Sequence, residues 1–231
     1  ILDGDSRMRE RPIGDLMDSL TQLGAKLETK NNCPPVKIVA SGLPGGKTQI
    51  AGNISSQFLS ALLMVAPYAK SPIEIEVTAE LNSKPYVDMT IAIMQDFGLK
   101  VERNEYQSFR VPITNYQSRI TYSIESDASA ASYFFAAPAI CGGTVRVENI
   151  SRNSKQGDIA FIDVLQKMGC EVIEGENFIE VSGFGSGDPN PTSGNPNQTF
   201  DDVSRWSPDQ RLKGVDVDMS DIPDTAQTLA V

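Results

Sequence analysis

The chain has 231 residues, 40% hydrophobic and 22% charged, the balance of a globular protein with one large domain or two small ones rather than of a disordered or fibrous chain. It has no histidine, which excludes imidazole-based triads, metal sites and proton transfer, and its three cysteines (Cys33, Cys141, Cys170) form no C-x-x-C pair, so a zinc site or disulfide framework is not expected. The net charge of −10 argues against a nucleic-acid surface, and the apolar runs Ala61–Ala66 and Phe134–Ile140 fall far short of the roughly 20 residues that cross a membrane.

Near the start, Arg7, Arg9 and Arg11 alternate, so an extended segment would present them on one face. Arg11 precedes Pro12. Proline pushes its predecessor to extended geometry and is favoured at the first helical position, so Arg11 falls at a helix N-terminus. A cation there opposes the helix dipole unless an anion binds nearby. The alternative is an exposed, solubilising arginine.

Pro12–Glu28 then reads as an amphipathic helix (Leu16, Leu20, Leu23), a stop at Gly24 and a short strand. Asn31-Asn32 supplies turn chemistry. Gly42–Thr48 resembles a phosphate loop, but three residues separate Gly42 from Gly46 where the motif needs four, and strand-like Thr48–Gly52 follows instead of a helix. A hairpin turn is expected there.

Ser55–Ala69 is apolar on every side, the pattern of a buried helix. Ser55, Ser56 and Gln57 open it. Serines there cap free amides, and the same geometry binds phosphate or carboxylate; Gln57 is conspicuous as a polar residue on such a helix. Alternating Ile73–Val77 predicts a strand. In Asn82–Tyr86, Lys84 precedes Pro85 at a second helix start, with Ser83 in capping range. Pro85–Glu102 repeats the helix, the stop (Gly98) and the strand. Asp127–Ile140 is a second helix of small and apolar residues, Gly142-Gly143 supplies turn chemistry of the hairpin-like kind expected between strands, Thr144–Glu148 is an alternating strand, and Gly157–Glu174 is a third helix, stop (Gly169) and strand. The stop glycines lie 74 and 71 residues apart, and Pro67 and Pro138 lie 71 apart, so the chain repeats. Residues 183–208 form a Gly/Pro/Asn-rich insertion. Asp221-Ile-Pro-Asp224 begins a third buried helix. Asp224 is ordinarily an N-cap there, and without histidine it is also a candidate general base.

The fold class is therefore α/β, built of repeated βαβ-type units. Charge divides the chain: residues 1–124 carry 13 basic and 13 acidic side chains, residues 125–231 carry 7 and 17. Two structural units are expected, meeting near Ile124–Glu125. Opening without Met and closing inside an apolar run, the chain reads as a piece of a longer polypeptide.

Together Arg7–Gly14, Ser55–Met64, Ser83–Thr90, Ser126–Phe134, Arg152–Asp158 and Asp218–Asp224 resemble the EPSP synthase (3-phosphoshikimate 1-carboxyvinyltransferase) family over nearly the whole chain outside the insertion. The resemblance implies two lobes of βαβαββ units, residues 1–124 belonging to the first and 125–231 opening the second. It implies transfer of the carboxyvinyl group of phosphoenolpyruvate to the 5-hydroxyl of shikimate 3-phosphate, by addition to a tetrahedral ketal phosphate and then elimination of phosphate, in aromatic amino acid biosynthesis, with no metal or cofactor. By motif, Ser55, Ser56, Gln57, Ser83 and Tyr86 would hold shikimate 3-phosphate, Arg11 and Gln57 would meet phosphoenolpyruvate, and Asp224 would bind the shikimate ligand and take its hydroxyl proton.

Ser126 and Ala130 stand where the family usually has Gly and Ser. The family's Lys-Ser…Arg and Gly-Asn-Ala-Gly-Thr…Arg segments and its later Glu, Lys and Arg residues have no counterpart here. The remainder of the polypeptide is thus an expected partner, and these 231 residues alone are expected to show little activity. Nucleic acid and membrane are not expected partners, and the location implied is cytoplasmic, or plastid in a plant-like source. The readings left open are a UDP-N-acetylglucosamine enolpyruvyl transferase and a noncatalytic assembly module.

Overall fold

The computed structural model describes residues 1–53, 55–114, 120–183 and 212–231. They form two compact units, Ile1–Tyr122 and Ser123–Val231.

In the first unit a 3-10 turn (Met8–Glu10) precedes α1 (Gly14–Gln22), and α1, closed by Leu23 and Gly24, leads into a two-stranded hairpin, β1 (Lys26–Lys30) and β2 (Cys33–Val39). Asn31 and Asn32 both have positive φ, 58° and 56°, which makes the two-residue turn of the type that matches strand twist. A complete βαβαββ run follows: β3 (Gly46–Ile50), α2 (Ser56–Val65), β4 (Ile73–Val77), α3 (Lys84–Asp96), β5 (Glu102–Asn104) and β6 (Ser108–Val111). The sheet order is β3-β4-β6-β5, with β3 and β4 parallel and the other pairs antiparallel. One sheet face packs on the helices through Ile50, Ile73, Ile75, Phe109 and Val111 against Leu59, Leu62, Leu63 and Val87.

The second unit repeats the later part of this plan. α4 (Ala128–Cys141) corresponds to α2, and β7 (Thr144–Glu148), α5 (Phe161–Met168), β8 (Glu171–Glu174) and β9 (Phe178–Ser182) to β4, α3, β5 and β6. Its antiparallel sheet has the order β7-β9-β8, the counterpart of β4-β6-β5. The core is Phe135, Ile150, Phe161, Ile162, Ile179 and Val181. The three stop glycines all sit at left-handed φ: 88° at Gly24, 84° at Gly98 and 105° at Gly169, where a side chain would be strained.

Three expectations need correction. Gly42–Thr48 is not a hairpin, because β2 and β3 belong to different sheets. The segment instead runs beside the entry to β4, with the Lys70 and Ser71 amides donating to the carbonyls of Leu43 and Pro44. A Cβ at Gly45 would collide with the Ser71 carbonyl, so the glycine serves close backbone packing. Gly142-Gly143 likewise joins a helix to a strand rather than two strands. The all-apolar helices are not buried on every side. Met64 and Tyr68 at the end of the first, and Tyr133, Phe134 and Ile140 on α4, are exposed, because each unit covers only part of its helix's circumference. The insertion at 183–208 lies outside the described residues apart from Gly183.

Among the described residues no helix is long and apolar enough to cross a membrane.

Candidate functional site

Chain direction gathers most of the candidate residues at one end of the first unit. α2 departs from the C-terminal end of β3, and α3 from the C-terminal end of its parallel neighbour β4. α1 runs the opposite way to β3: Ser19 Oγ donates to the Gln49 carbonyl (2.8 Å), while Gly24, past the helix C-terminus, lies against Pro44, ahead of the strand. The N-termini of α1, α2 and α3 therefore share the C-terminal end of the β3–β4 pair. Arg11 lies there ahead of α1, Ser55, Ser56 and Gln57 open α2, and Ser83 and Tyr86 open α3. Helix N-termini present free amides and positive dipole ends, so their convergence with a cation favours an anion.

The loops in front of α2 and α3 are tied to one another. The Asn82 side-chain amide donates to the Asn53 carbonyl (2.7 Å) and the Asn82 backbone amide to the Gly52 carbonyl (3.1 Å). Gly52 is itself buried, and a Cβ there would lie 2.7 Å from Val77 Cγ1. Ser55 is the N-cap of α2, its Oγ accepting from the Gln57 amide at 3.2 Å. Ser56 is buried, and Gln57 is exposed rather than lost in the core.

Ser83 departs from the expectation of a capping serine. It sits at the N-cap of α3 with left-handed dihedrals (φ 52°, ψ 50°), and its side chain makes no capping bond. This conformation costs energy in a residue with a Cβ, and such residues cluster at functional sites. Lys84 is engaged by its neighbours: its Nζ lies 3.7 Å from Glu80 and 5.6 Å from the centre of the Tyr106 ring. Tyr106 in turn donates its hydroxyl to Asp88 Oδ2 (2.5 Å), which raises the phenol's pKa above its ordinary value, and Arg103 pairs with the other oxygen of Asp88.

The shared face of three arginines does not form. Met8–Glu10 is a 3-10 turn, which abolishes the alternation, and local carboxylates take two of the cations: Arg7 pairs with Glu10 at 2.9 Å and Arg9 with Asp3 at 2.6 Å. The Arg9 pair holds the Asp3 carboxyl down at about 2. Arg11 is exposed and ion-paired with no described residue.

Asp15, in the first turn of α1, was not anticipated. Its Oδ2 is shielded from solvent and accepts no hydrogen bond from a described residue. A carboxylate three residues after Pro12 was the available signal; the helix starts later than the proline suggested, at Gly14 with Ile13 as N-cap, so Pro12 is not its first residue.

Asp224 belongs to the second unit, and it is not an N-cap. It lies within a 3-10 turn, Pro223–Thr225, that leads into α6 (Ala226–Ala230), whose N-cap is Thr225. Proline at the start of the turn and the buried Thr225, whose Oγ1 donates to the Ile222 carbonyl (2.9 Å), favour the tighter coil. Asp224 is exposed, and its carbonyl accepts from Gln227 Nε2 at 2.7 Å. The N-terminus of α4 is satisfied within the protein, by Asp127 Oδ1 on the Ala130 amide and Gln156 Oε1 on the Ala128 amide.

A family model described as EPSP synthase (3-phosphoshikimate 1-carboxyvinyltransferase) matches residues 1–231. A 3-phosphoshikimate 1-carboxyvinyltransferase from Shewanella pealeana is 46% identical over 232 residues, covering 99% of this chain and 48% of the relative. A chloroplastic enzyme of the same name from Nicotiana tabacum is 47% identical over 236 residues, covering 100% of this chain and 42% of the relative. The chain thus spans about half the length of the curated relatives it matches. Among solved structures, an EPSP synthase from Acinetobacter baumannii superposes with a TM-score of 0.59 at 21% identity, over 78% of this chain and 42% of that one, a likeness of fold.

Proposed function

Because the chain belongs to the EPSP synthase family, we propose that the polypeptide carrying it transfers the carboxyvinyl group of phosphoenolpyruvate to the 5-hydroxyl of shikimate 3-phosphate, releasing phosphate, as a step of aromatic amino acid biosynthesis. The observation that carries this reading is the convergence of three helix N-termini, with Arg11, Ser55–Gln57, Ser83 and Tyr86, at one end of the β3–β4 pair. Both substrates are anions, and preorganised amides, hydroxyls and a guanidinium stabilise charge without reorganising during reaction.

In this reading Ser55, Ser56, Gln57, Ser83 and Tyr86 hold shikimate 3-phosphate, and Arg11 with Gln57 meets phosphoenolpyruvate. Asp224 accepts the proton of the 5-hydroxyl as its oxygen bonds to C2 of phosphoenolpyruvate, while the methylene carbon takes up a proton from an acid in the remainder of the polypeptide. The resulting ketal phosphate then loses a proton from that new methyl group and expels phosphate, restoring the double bond. An exposed carboxylate at a turn is suited to this transfer because it is reachable by a substrate hydroxyl.

The first unit would belong to one lobe and the second would open the other. The exposed apolar side chains Met64 and Tyr68, and Tyr133, Phe134 and Ile140, favour packing against the rest of the longer polypeptide, without which these 231 residues would have little activity. The bacterial and chloroplastic relatives suit a cytoplasmic or plastid location.

Calorimetric titration tests the substrate assignment. Saturable binding of shikimate 3-phosphate, lost in Ser56→Ala and Gln57→Ala, is expected. Binding of UDP-N-acetylglucosamine instead would contradict it.

A further inference from the structure

Two buried hydroxyls occupy the same place in the two units. Ser60 is the fifth residue after the N-cap of α2, and Ser132 the fifth after the N-cap of α4; both are buried, on helices whose other buried residues are mostly Leu, Phe and Ala. A hydroxyl in such surroundings is costly unless hydrogen-bonded. Each is bonded to a threonine of a neighbouring helix. Ser60 Oγ lies 2.9 Å from Thr90 Oγ1 on α3, and Ser132 Oγ 3.1 Å from Thr228 Oγ1 on α6.

The protons can be assigned. Thr90 Oγ1 donates to the Tyr86 carbonyl (2.8 Å), so Ser60 donates to Thr90. Ser132 Oγ donates to the Ser129 carbonyl (2.6 Å), so Thr228 donates to Ser132. Each threonine lies four residues beyond a residue of the proposed site: Thr90 one turn beyond Tyr86 on α3, and Thr228, on α6, beyond Asp224 in the 3-10 turn that leads into that helix. Packed apolar side chains tolerate small slides and rotations of one helix on another, whereas a directional hydrogen bond does not.

We propose that Ser60–Thr90 and Ser132–Thr228 are positioning contacts that hold Tyr86, and the turn that carries Asp224, in place without touching substrate. The inference rests on the functional reading above.

The test uses the complete polypeptide carrying this chain, with shikimate 3-phosphate affinity, KM, kcat and melting temperature measured for each variant. Thr90→Val keeps the shape and removes the hydroxyl. We expect it to weaken shikimate 3-phosphate binding roughly ten-fold, the scale of one net hydrogen bond, and Thr90→Ser to restore binding to within about two-fold even if it melts no higher than Thr90→Val. Ser60→Ala, a gentler change, shifts affinity in the same direction. Thr228→Val lowers kcat more than it changes KM, and Thr228→Ser recovers it. Parent-like affinity and kcat in both valine variants, or serine variants that fail to recover, would overturn the proposal. Gln57→Ala is the separate control: if it binds shikimate 3-phosphate like the parent, the site assignment is at fault, whatever the threonine variants do.

Discussion

The side-chain amide of Asn82 donates to the backbone carbonyl of Asn53 at 2.7 Å, joining the loop ahead of α3 to the loop ahead of α2. Residues 29 positions apart in sequence thereby set the spacing between Ser55–Gln57 and Ser83–Tyr86. Asn82→Ala removes this bond and leaves the Asn82 backbone amide on the Gly52 carbonyl (3.1 Å) intact. The expected loss is modest, about 1 kcal/mol, because the side chain is exposed and water replaces the partner. Urea unfolding of parent and variant measures it.

Gly52 is a stricter constraint on the same loop. A Cβ there meets Val77 Cγ1 at 2.7 Å, and the Ala79 carbonyl oxygen and Leu81 Cα at 3.1 Å, two of these three being backbone atoms that cannot swing away. Gly52→Ala is expected to destabilise by about 1–3 kcal/mol through overpacking. At Gly98 nothing lies within 4 Å of the added Cβ, so the left-handed φ of 84° alone sets the cost of Gly98→Ala, about 1 kcal/mol. The comparison by denaturant unfolding separates crowding from backbone strain.

Adjacent phenylalanines on α4 should differ sharply. Phe135 is 1% exposed in the core of the second unit, whereas Phe134 is 62% exposed. Phe135→Ala is expected to cost about 3–5 kcal/mol, and Phe134→Ala less than about 1 kcal/mol in the 231-residue chain. Thermal unfolding of the two variants checks both values.

The Tyr106–Asp88 pair predicts a pH dependence. The Asp88 carboxylate accepts the phenolic proton, and this bond, with burial, raises the Tyr106 pKa in the folded chain. The bond's stabilisation is therefore complete below the unfolded tyrosine value of about 10 and is lost as pH rises through the higher folded value. Tyr106→Phe should show a flatter fall of the unfolding midpoint between about pH 9 and pH 12 than the parent. Equal slopes would exclude the contribution.

Much of the architecture was legible because it is locally encoded. Gly24, Gly98 and Gly169 each end an amphipathic helix, and Asn31-Asn32 tolerates the left-handed pair of dihedrals that closes β1 on β2. What was hidden depends on distant partners. The Gly42–Thr48 segment runs beside Lys70–Pro72, a neighbour that local sequence does not announce. The alternating arginines gave no sign that Asp3 and Glu10 would fold back onto two of them. In the candidate site, Arg11, Ser55, Ser56, Gln57, Ser83 and Tyr86 were legible as helix starts, but their shared end follows from the parallel pairing of β3 with β4. The left-handed Ser83 and the 3-10 turn at Asp224 arise from their surroundings rather than from propensity.

The central claim is tested most directly by phosphate release from phosphoenolpyruvate in the complete polypeptide, with and without shikimate 3-phosphate, for the parent and Asp224→Asn. The account predicts release that requires both substrates and falls at least about 100-fold in the variant, the contribution typical of a positioned general base. Release that ignores shikimate 3-phosphate, or an Asp224→Asn variant as fast as the parent, would contradict it.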